Sequence, residues 1–265
     1  MEFAFIGGGN MGRAMATALV ERRVCEANEL LVVDPDDACR ERLRPLGCAL
    51  AEQADARVSQ ARVVVLAVKP QGAKEVMASV RPQLRPGQVV LSIMAGVPLA
   101  ALREGLGHGA LVRSMPNTPA QIGLGMTVYV ADPTVGEEGL TRVEALLGAC
   151  GETVRVDGED AIDAATAVSG SGPAYVFYLA EHWIAAARRL GFSEADATRL
   201  VRQTLLGATE LWKRSGTAAG TLREQVTSKG GTTAAALDMF RERKVGEGLE
   251  AGIGRAYARA KELSR

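Results

Sequence analysis

A chain of 265 residues that is 47% hydrophobic and 23% charged can bury one large core or two modest ones and reads as globular. Lys plus Arg equals Asp plus Glu at 31 each, so the formal net charge is zero, which argues against a general electrostatic role on nucleic acid or an anionic membrane. The four cysteines (Cys25, Cys39, Cys48, Cys150) lack CxxC spacing and only His108 and His182 are present, which argues against a His/Cys metal site.

The first element is the short apolar run Phe3-Ala4-Phe5-Ile6, expected to be a buried parallel strand over residues 2–6. Gly7-Gly8-Gly9-Asn10-Met11-Gly12 follows at once and fits G-x-G-x-x-G through Gly7, Gly9 and Gly12, with helical spacing of apolar residues from Arg13 to Val20. In such a fingerprint the first glycine allows the tight turn. The second lets backbone amides approach a pyrophosphate, and the third lets the helix pack closely on the strand. The helix N-terminus adds partial positive charge for the phosphates. A second apolar run, Leu30-Leu31-Val32-Val33, ends at Asp34, where a carboxylate that hydrogen-bonds ribose hydroxyls is expected. Strand, glycine loop, helix and Asp together predict dinucleotide binding. No signal peptide precedes the fingerprint and no apolar stretch reaches spanning length, so a cytoplasmic, reduced protein is expected.

Further strands are expected at 62–68, 88–93 and 110–114, alternating with helices near 10–23, 36–45, 71–80 and 98–105. Alternation of this kind implies an α/β parallel sheet with helices on both faces. Two more strands are expected at 126–131 and 153–156, with a helix at about 136–149 between them. Ligands of such sheets bind beyond the carboxyl ends of the strands. Ala67-Val68-Lys69-Pro70 ends one strand, because Pro70 restricts its neighbour and lacks an N–H; this leaves Lys69 facing the crevice. Met94-Ala95-Gly96 ends the next, with small residues that let a flat ring approach the backbone. Met115-Pro116-Asn117-Thr118-Pro119 ends the one after as a rigid turn that fixes Asn117 and Thr118.

Beyond about residue 157 strand-like runs give way to Ala-rich helical patterns, read as helices at about 159–167, 172–190, 194–215, 219–226, 232–242 and 246–263. The expected division is a nucleotide-binding domain over 1–157 and an all-helical domain over 158–265. Gly191 and Gly216 read as helix stops and Ser193 as an N-cap. So many apolar helix faces are expected to complete a core against a second subunit, a self-sufficient bundle being the alternative. Trp183 and Trp212 are expected in core or interface. Two glycine-rich interruptions stand out. Ser169-Gly170-Ser171-Gly172-Pro173-Ala174-Tyr175 opens a long helix. Thr227-Ser228-Lys229-Gly230-Gly231-Thr232-Thr233 precedes the helix from Ala234 to Arg241. Glycines followed by hydroxyl residues at a helix N-terminus make an anion cradle, here suited to a small carboxylate held by the amides of Gly231, Thr232 and Thr233, beside Ser228.

These segments together resemble the Δ1-pyrroline-5-carboxylate reductase family along essentially the whole chain: Ile6 to Gly12, Ala67 to Pro70, Ala95 to Val97, Met115 to Pro119, Ser169 to Tyr175 and Gly230 to Thr233. The resemblance implies a Rossmann domain followed by a helical dimerisation domain, an active site completed by the partner's helices, and in some members larger rings of dimers. It implies NAD(P)H-dependent reduction of (S)-1-pyrroline-5-carboxylate to L-proline, without a metal. Carried over by position, Ile6, Gly7, Gly8, Gly9, Asn10, Met11, Gly12, Asp34, Ala67, Val68, Lys69, Pro70, Ala95, Gly96 and Asn117 surround the cofactor, and Glu159 and Gln225 lie near its nicotinamide end. Lys69, Ser228, Gly231, Thr232 and Thr233 face the substrate, with the Thr233 hydroxyl at the ring nitrogen. Two departures matter: Lys229 stands where the family usually has proline, and Asp34 where many members carry Ser or Thr beside the 2′-phosphate of NADPH. A carboxylate repels that phosphate and favours NADH, and Ala54 offers no polar side chain there, while Arg40 and Arg42 keep the choice between NADH and NADPH open. A β-hydroxyacid dehydrogenase would need a lysine early in the long helix, and residues 173–191 contain none. A nucleotide-sensing module would not need the second glycine-threonine cradle, and a purely structural helical dimer explains neither loop.

Overall fold

The computed structural model describes residues 1–264. The nucleotide half contains, in chain order, β1 (Phe3–Ile6), α1 (Asn10–Glu21), β2 (Leu30–Val33), α2 (Asp37–Leu43), β3 (Ala49–Ala51), β4 (Val63–Leu66), α3 (Ala73–Val80), β5 (Val89–Ser92), α4 (Leu99–Leu106), β6 (Leu111–Met115), β7 (Gly125–Ala131), α5 (Glu137–Ala149) and β8 (Gly151–Arg155). The strands form one sheet in the order β3-β2-β1-β4-β5-β6-β7-β8. All neighbours pair parallel except β6 with β7. Strands β1, β2, β4 and β5 are buried along their whole length, because helices cover both faces of the sheet. One core layer holds Phe3, Phe5, Met15, Leu19 and Val65, and the other holds Ala4, Ile6, Val64, Leu66 and Leu102.

The chain order reverses between β1 and β4, whose last residues Ile6 and Leu66 are register partners. That switch point is where a parallel doubly wound sheet opens its ligand crevice. One strand lies outside the sequence expectation. Ala49–Ala51 joins the sheet edge beside β2, with Leu31 opposite Ala49. Three residues, two of them alanine, carry too little apolar periodicity to announce a strand, and only the pairing with β2 reveals it.

The helical half contains α6 (Glu159–Ala165), α7 (Gly172–Arg189), α8 (Glu194–Ser215), α9 (Ala219–Gln225), α10 (Thr232–Glu242) and α11 (Val245–Leu263). The helix expected over 159–167 is shorter, because Thr166–Gly170 widens into a π turn in which the Ser171 amide reaches the Thr166 carbonyl at 2.8 Å. Ser193 caps α8 by accepting the Asp196 amide at 3.1 Å, and Gly216 ends that helix at φ +60°. The chain forms two compact units: Met1–Pro173 with the chain from Ala256, and Ala174–Arg255. The first unit therefore extends past residue 157, because Ile162 and Ala165 of α6 bury against Val128 and Val130 of β7. None of the described helices is long and apolar enough to cross a membrane.

Candidate active site

In the first unit the glycine loop is bound to the sheet on both sides. The Gly7 amide donates to Val33 O at 2.7 Å and the Ala67 amide to Ile6 O at 2.8 Å. Gly7 has φ +109°, and a Cβ there would stand 2.5 Å from Ala67 O; a Cβ on Gly12 would stand 2.1 Å from Gly7 O. Both positions therefore need glycine for close backbone packing. Gly9 differs: it has φ −62°, and a Cβ would meet nothing within 4 Å. The space above Gly9 lies at the N-cap of α1, where no side chain caps the helix and no acidic residue occupies the first turn. Open amides, positive dipole and free approach fit a pyrophosphate.

Asp34 directly follows β2, is 9% exposed, and accepts the Gly8 amide at Oδ2 (2.6 Å) and the Asp36 amide at Oδ1 (2.9 Å). Each oxygen keeps a lone pair for a ribose hydroxyl. Arg40 does not extend outward: its Nη1 donates to Asp34 O (2.7 Å) and Pro35 O (3.0 Å), and its Nη2 to Asp37 Oδ1 (2.9 Å). Arg42 Nη2 donates to Cys39 Sγ at 3.1 Å. Both arginines left open by the sequence are thus engaged with their own helix and the loop before it.

Lys69 and Pro70 are exposed just beyond β4, and Ala67 and Val68 are half-buried. Ala95 and Gly96 form the turn after β5, with Gly96 at φ +72°. Asn117 serves the scaffold: its Nδ2 donates to Ser169 O (3.0 Å) and its Oδ1 accepts the Met126 amide (2.9 Å). These two bonds hold the proline turn between β6, β7 and the π turn. Glu159 Oε1 accepts the Leu99 amide and Arg113 Nη1, both at 2.9 Å. Sequence reasoning missed Arg113 itself. The signal was present, since a lone arginine inside the apolar strand Leu-Val-Arg-Ser-Met demands buried counter-charges.

In the second unit, Gly231 is the N-cap of α10 and brings no side-chain oxygen, so the amides of Thr232 and Thr233 begin the helix without a cap. Gly230 at φ +73° turns the chain into it, and the Gly231 amide closes the turn on Ser228 O at 3.0 Å. Ser228 and Thr232 are exposed and Thr233 is half-buried. Gln225 is the exposed last residue of α9. Around these helices large apolar side chains face outward, including Phe177 at 68%, Tyr178 at 65%, Leu206 at 58% and Trp212 at 53% exposure. Trp183 is 41% exposed, so neither tryptophan is buried in a core of the single chain.

Comparison with known proteins accords with both halves. A family model described as pyrroline-5-carboxylate reductase dimerisation matches residues 159–263, and one described as NADP oxidoreductase, coenzyme F420-dependent, matches residues 2–96. A pyrroline-5-carboxylate reductase of Pseudomonas aeruginosa is 38% identical over 263 residues, covering 98% of this chain and 96% of the relative. The solved structure of a pyrroline-5-carboxylate reductase from Coxiella burnetii superposes with a TM-score of 0.92 at 33% identity, covering 100% of this chain and 98% of that one. That of the Plasmodium falciparum pyrroline carboxylate reductase with NADP bound gives 0.87 at 26% identity, covering 100% and 98%. The dimerisation match and the exposed apolar helix surface support a homodimer through the helical half. With a glycine loop at the switch point of its sheet and a helical dimerisation region later in the chain, the chain belongs to the pyrroline-5-carboxylate reductase family.

Proposed function

We propose that the chain reduces the cyclic imine (S)-1-pyrroline-5-carboxylate to L-proline, the last step of proline biosynthesis. The observation that carries this reading is a pair of uncapped helix N-termini, at Gly9–Asn10 and at Gly231–Thr232, in a chain of this family. The first takes the dinucleotide's phosphates and the second a substrate carboxylate. The bound dihydronicotinamide supplies the hydride that the imine carbon accepts.

The residues of the chain position the reactants and place a proton. Ile6 to Gly12, Asp34, Ala67 to Pro70, Ala95 and Gly96 hold the dinucleotide, and Glu159 and Gln225 serve its nicotinamide end. Gly231, Thr232 and Thr233, with Ser228 at the turn, hold the carboxylate through backbone amides. The Thr233 hydroxyl faces the ring nitrogen, which gains a proton as the carbon gains hydride; protonation makes that carbon more electrophilic. Lys69, exposed at the end of β4, helps position cofactor or substrate. Such a site needs orientation and one hydrogen bond at nitrogen more than covalent chemistry.

NADH is the favoured reductant in this reading. Asp34 repels a 2′-phosphate, and the guanidinium of Arg40 is held by Asp34 O, Pro35 O and Asp37. A cytoplasmic location belongs to the same reading and agrees with four unpaired thiols. Assembly of the dimers into a larger ring rests on the family resemblance alone. Incubation of the purified enzyme with the imine and NADH tests the activity. One L-proline should form for each NADH oxidised, and nucleotide binding without proline formation would refute the reading.

A further inference from the structure

Arg113 lies in the middle of β6 and is 2% exposed. A guanidinium at that depth needs counter-charges, and it has two, both on α6, with a hydroxyl from the C-terminal segment beside them. Nη1 donates to Glu159 Oε1 at 2.9 Å. Nη2 donates to Asp163 Oδ1 at 2.7 Å and to Ser264 Oγ at 3.3 Å. The Ser264 hydroxyl in turn donates to Asp163 Oδ1 at 2.8 Å. Glu159 Oε1 also accepts the amide of Leu99, the first residue of α4, at 2.9 Å. Two carboxylates face one guanidinium, and the surplus negative charge sits at the N-terminus of α4, where the helix dipole favours it.

The same cluster reaches the turn after β5 by a second route. A Cβ on Gly96 would stand 2.8 Å from the Leu263 carbonyl oxygen, so the last turn of α11 rests directly on that glycine. Leu263 is held there by its neighbour Ser264, bonded to Asp163 and Arg113. The segment from Met94 to Leu99 is therefore fixed at Gly96 by the C-terminal turn and at Leu99 by Glu159. Both attachments end on Arg113.

We infer that Arg113 is a positioning residue for the nucleotide. Through Glu159 at one end and Ser264 with Leu263 at the other, it fixes where the Ala95–Gly96 turn stands against the nicotinamide. The inference rests on the dinucleotide reading of that turn and extends it to Arg113, Asp163, Leu263 and Ser264 behind the turn. A displaced turn weakens ring contact and misaligns hydride transfer, and a shift of about 1 Å is enough to cost on the order of a hundredfold in rate.

The test uses the full dimeric enzyme and four variants: Ser264→Ala, a chain ending before Leu263, Arg113→Met and Arg113→Lys. NADH affinity is read by fluorescence titration without imine, amide hydrogen exchange at Gly96 to Leu99 without nucleotide, and melting temperature alongside. Ser264→Ala removes one hydroxyl from the cluster. It should keep the parent melting temperature, speed exchange at Gly96 to Leu99, and raise the NADH dissociation constant roughly tenfold, the size of one lost hydrogen bond to a charged group. The shortened chain should do the same more strongly. Arg113→Lys, which keeps the charge but loses the fork, should bind NADH better than Arg113→Met. Parent affinity and parent exchange in both Ser264→Ala and the shortened chain would overturn the inference, whatever Arg113→Met does to folding. A parent enzyme that binds NADH but leaves the imine unreduced would overturn the reductase reading instead, since the binding comparison needs no imine.

Discussion

The Asp34 carboxylate accepts the amide of Gly8 through Oδ2 at 2.6 Å, and so joins the end of β2 to the glycine loop after β1. In the proposed reading this one residue both shapes the phosphate loop and sets the charge beside the adenosine ribose. Replacing Asp34 by Ser should raise the ratio of NADPH to NADH efficiency by tenfold or more, roughly 1.4 kcal/mol or above. Loss of the Gly8 and Asp36 contacts should weaken both nucleotides somewhat. Steady-state kcat/KM for each nucleotide measures both effects, and an unchanged ratio would remove Asp34 from cofactor choice.

Gly9 and Gly12 should respond in opposite ways to the same methyl group. Gly12→Ala drives its Cβ into Gly7 O and should destabilise the fold, lowering the melting temperature. Gly9→Ala meets nothing in the ligand-free protein and should melt like the parent, yet lose dinucleotide affinity by tenfold or more, about 1.4 kcal/mol. Calorimetric melting and NADH titration separate the two.

Thr233→Val keeps the shape of the side chain and the backbone amide while removing the hydroxyl. Turnover should fall by roughly tenfold to a hundredfold, within the range of a lost proton-placing group, with NADH affinity nearly unchanged. Parent turnover in this variant would exclude the hydroxyl from the reaction.

Arg113→Met leaves Asp163 and Glu159 without their cation. Breaking a buried pair by removing one partner costs about 3–5 kcal/mol, so urea unfolding should show a loss of that size. The double variant Arg113→Met with Asp163→Leu should recover part of it.

Alkaline pH should destabilise the protein through groups whose charged forms the fold disfavours. Burial raises the Cys25 thiol to about 11, helped by nearby Glu29, and burial alone raises Cys150 to about 11. Burial and a hydrogen bond to Glu144 push the Tyr129 hydroxyl up to about 12. For a raised value the unfolded chain loses its proton first, so the stabilisation is complete below the unfolded value and is lost as pH rises through the folded one. Unfolding free energy should hold up to about pH 9 and fall between there and about pH 12. The double variant Cys25→Ala, Cys150→Ala should show a shallower decline.

Much of this architecture was legible in the residues. Strands such as Val63–Leu66, apolar on both faces, and glycines at fixed offsets report local physics, and the resemblance of the Gly230 to Thr233 segment reports a family. What stayed hidden depends on partners far along the chain. Ala49–Ala51 is a strand only because Leu31 lies beside it. The two prolines announce a rigid turn at Asn117, but not that Ser169 and Met126 take both ends of its amide. No spacing in the sequence shows that the Arg40 guanidinium lies on Asp34 O and Asp37. The Arg113 cluster joins residues 151 positions apart, a separation at which no spacing rule operates.

The most direct measurement of the central claim is steady-state oxidation of NADH and of NADPH, side by side, with 1-pyrroline-5-carboxylate as substrate. The account predicts imine-dependent turnover with both and higher kcat/KM for NADH. Preference for NADPH would contradict the role given to Asp34, and absence of turnover with either nucleotide would contradict the reductase itself.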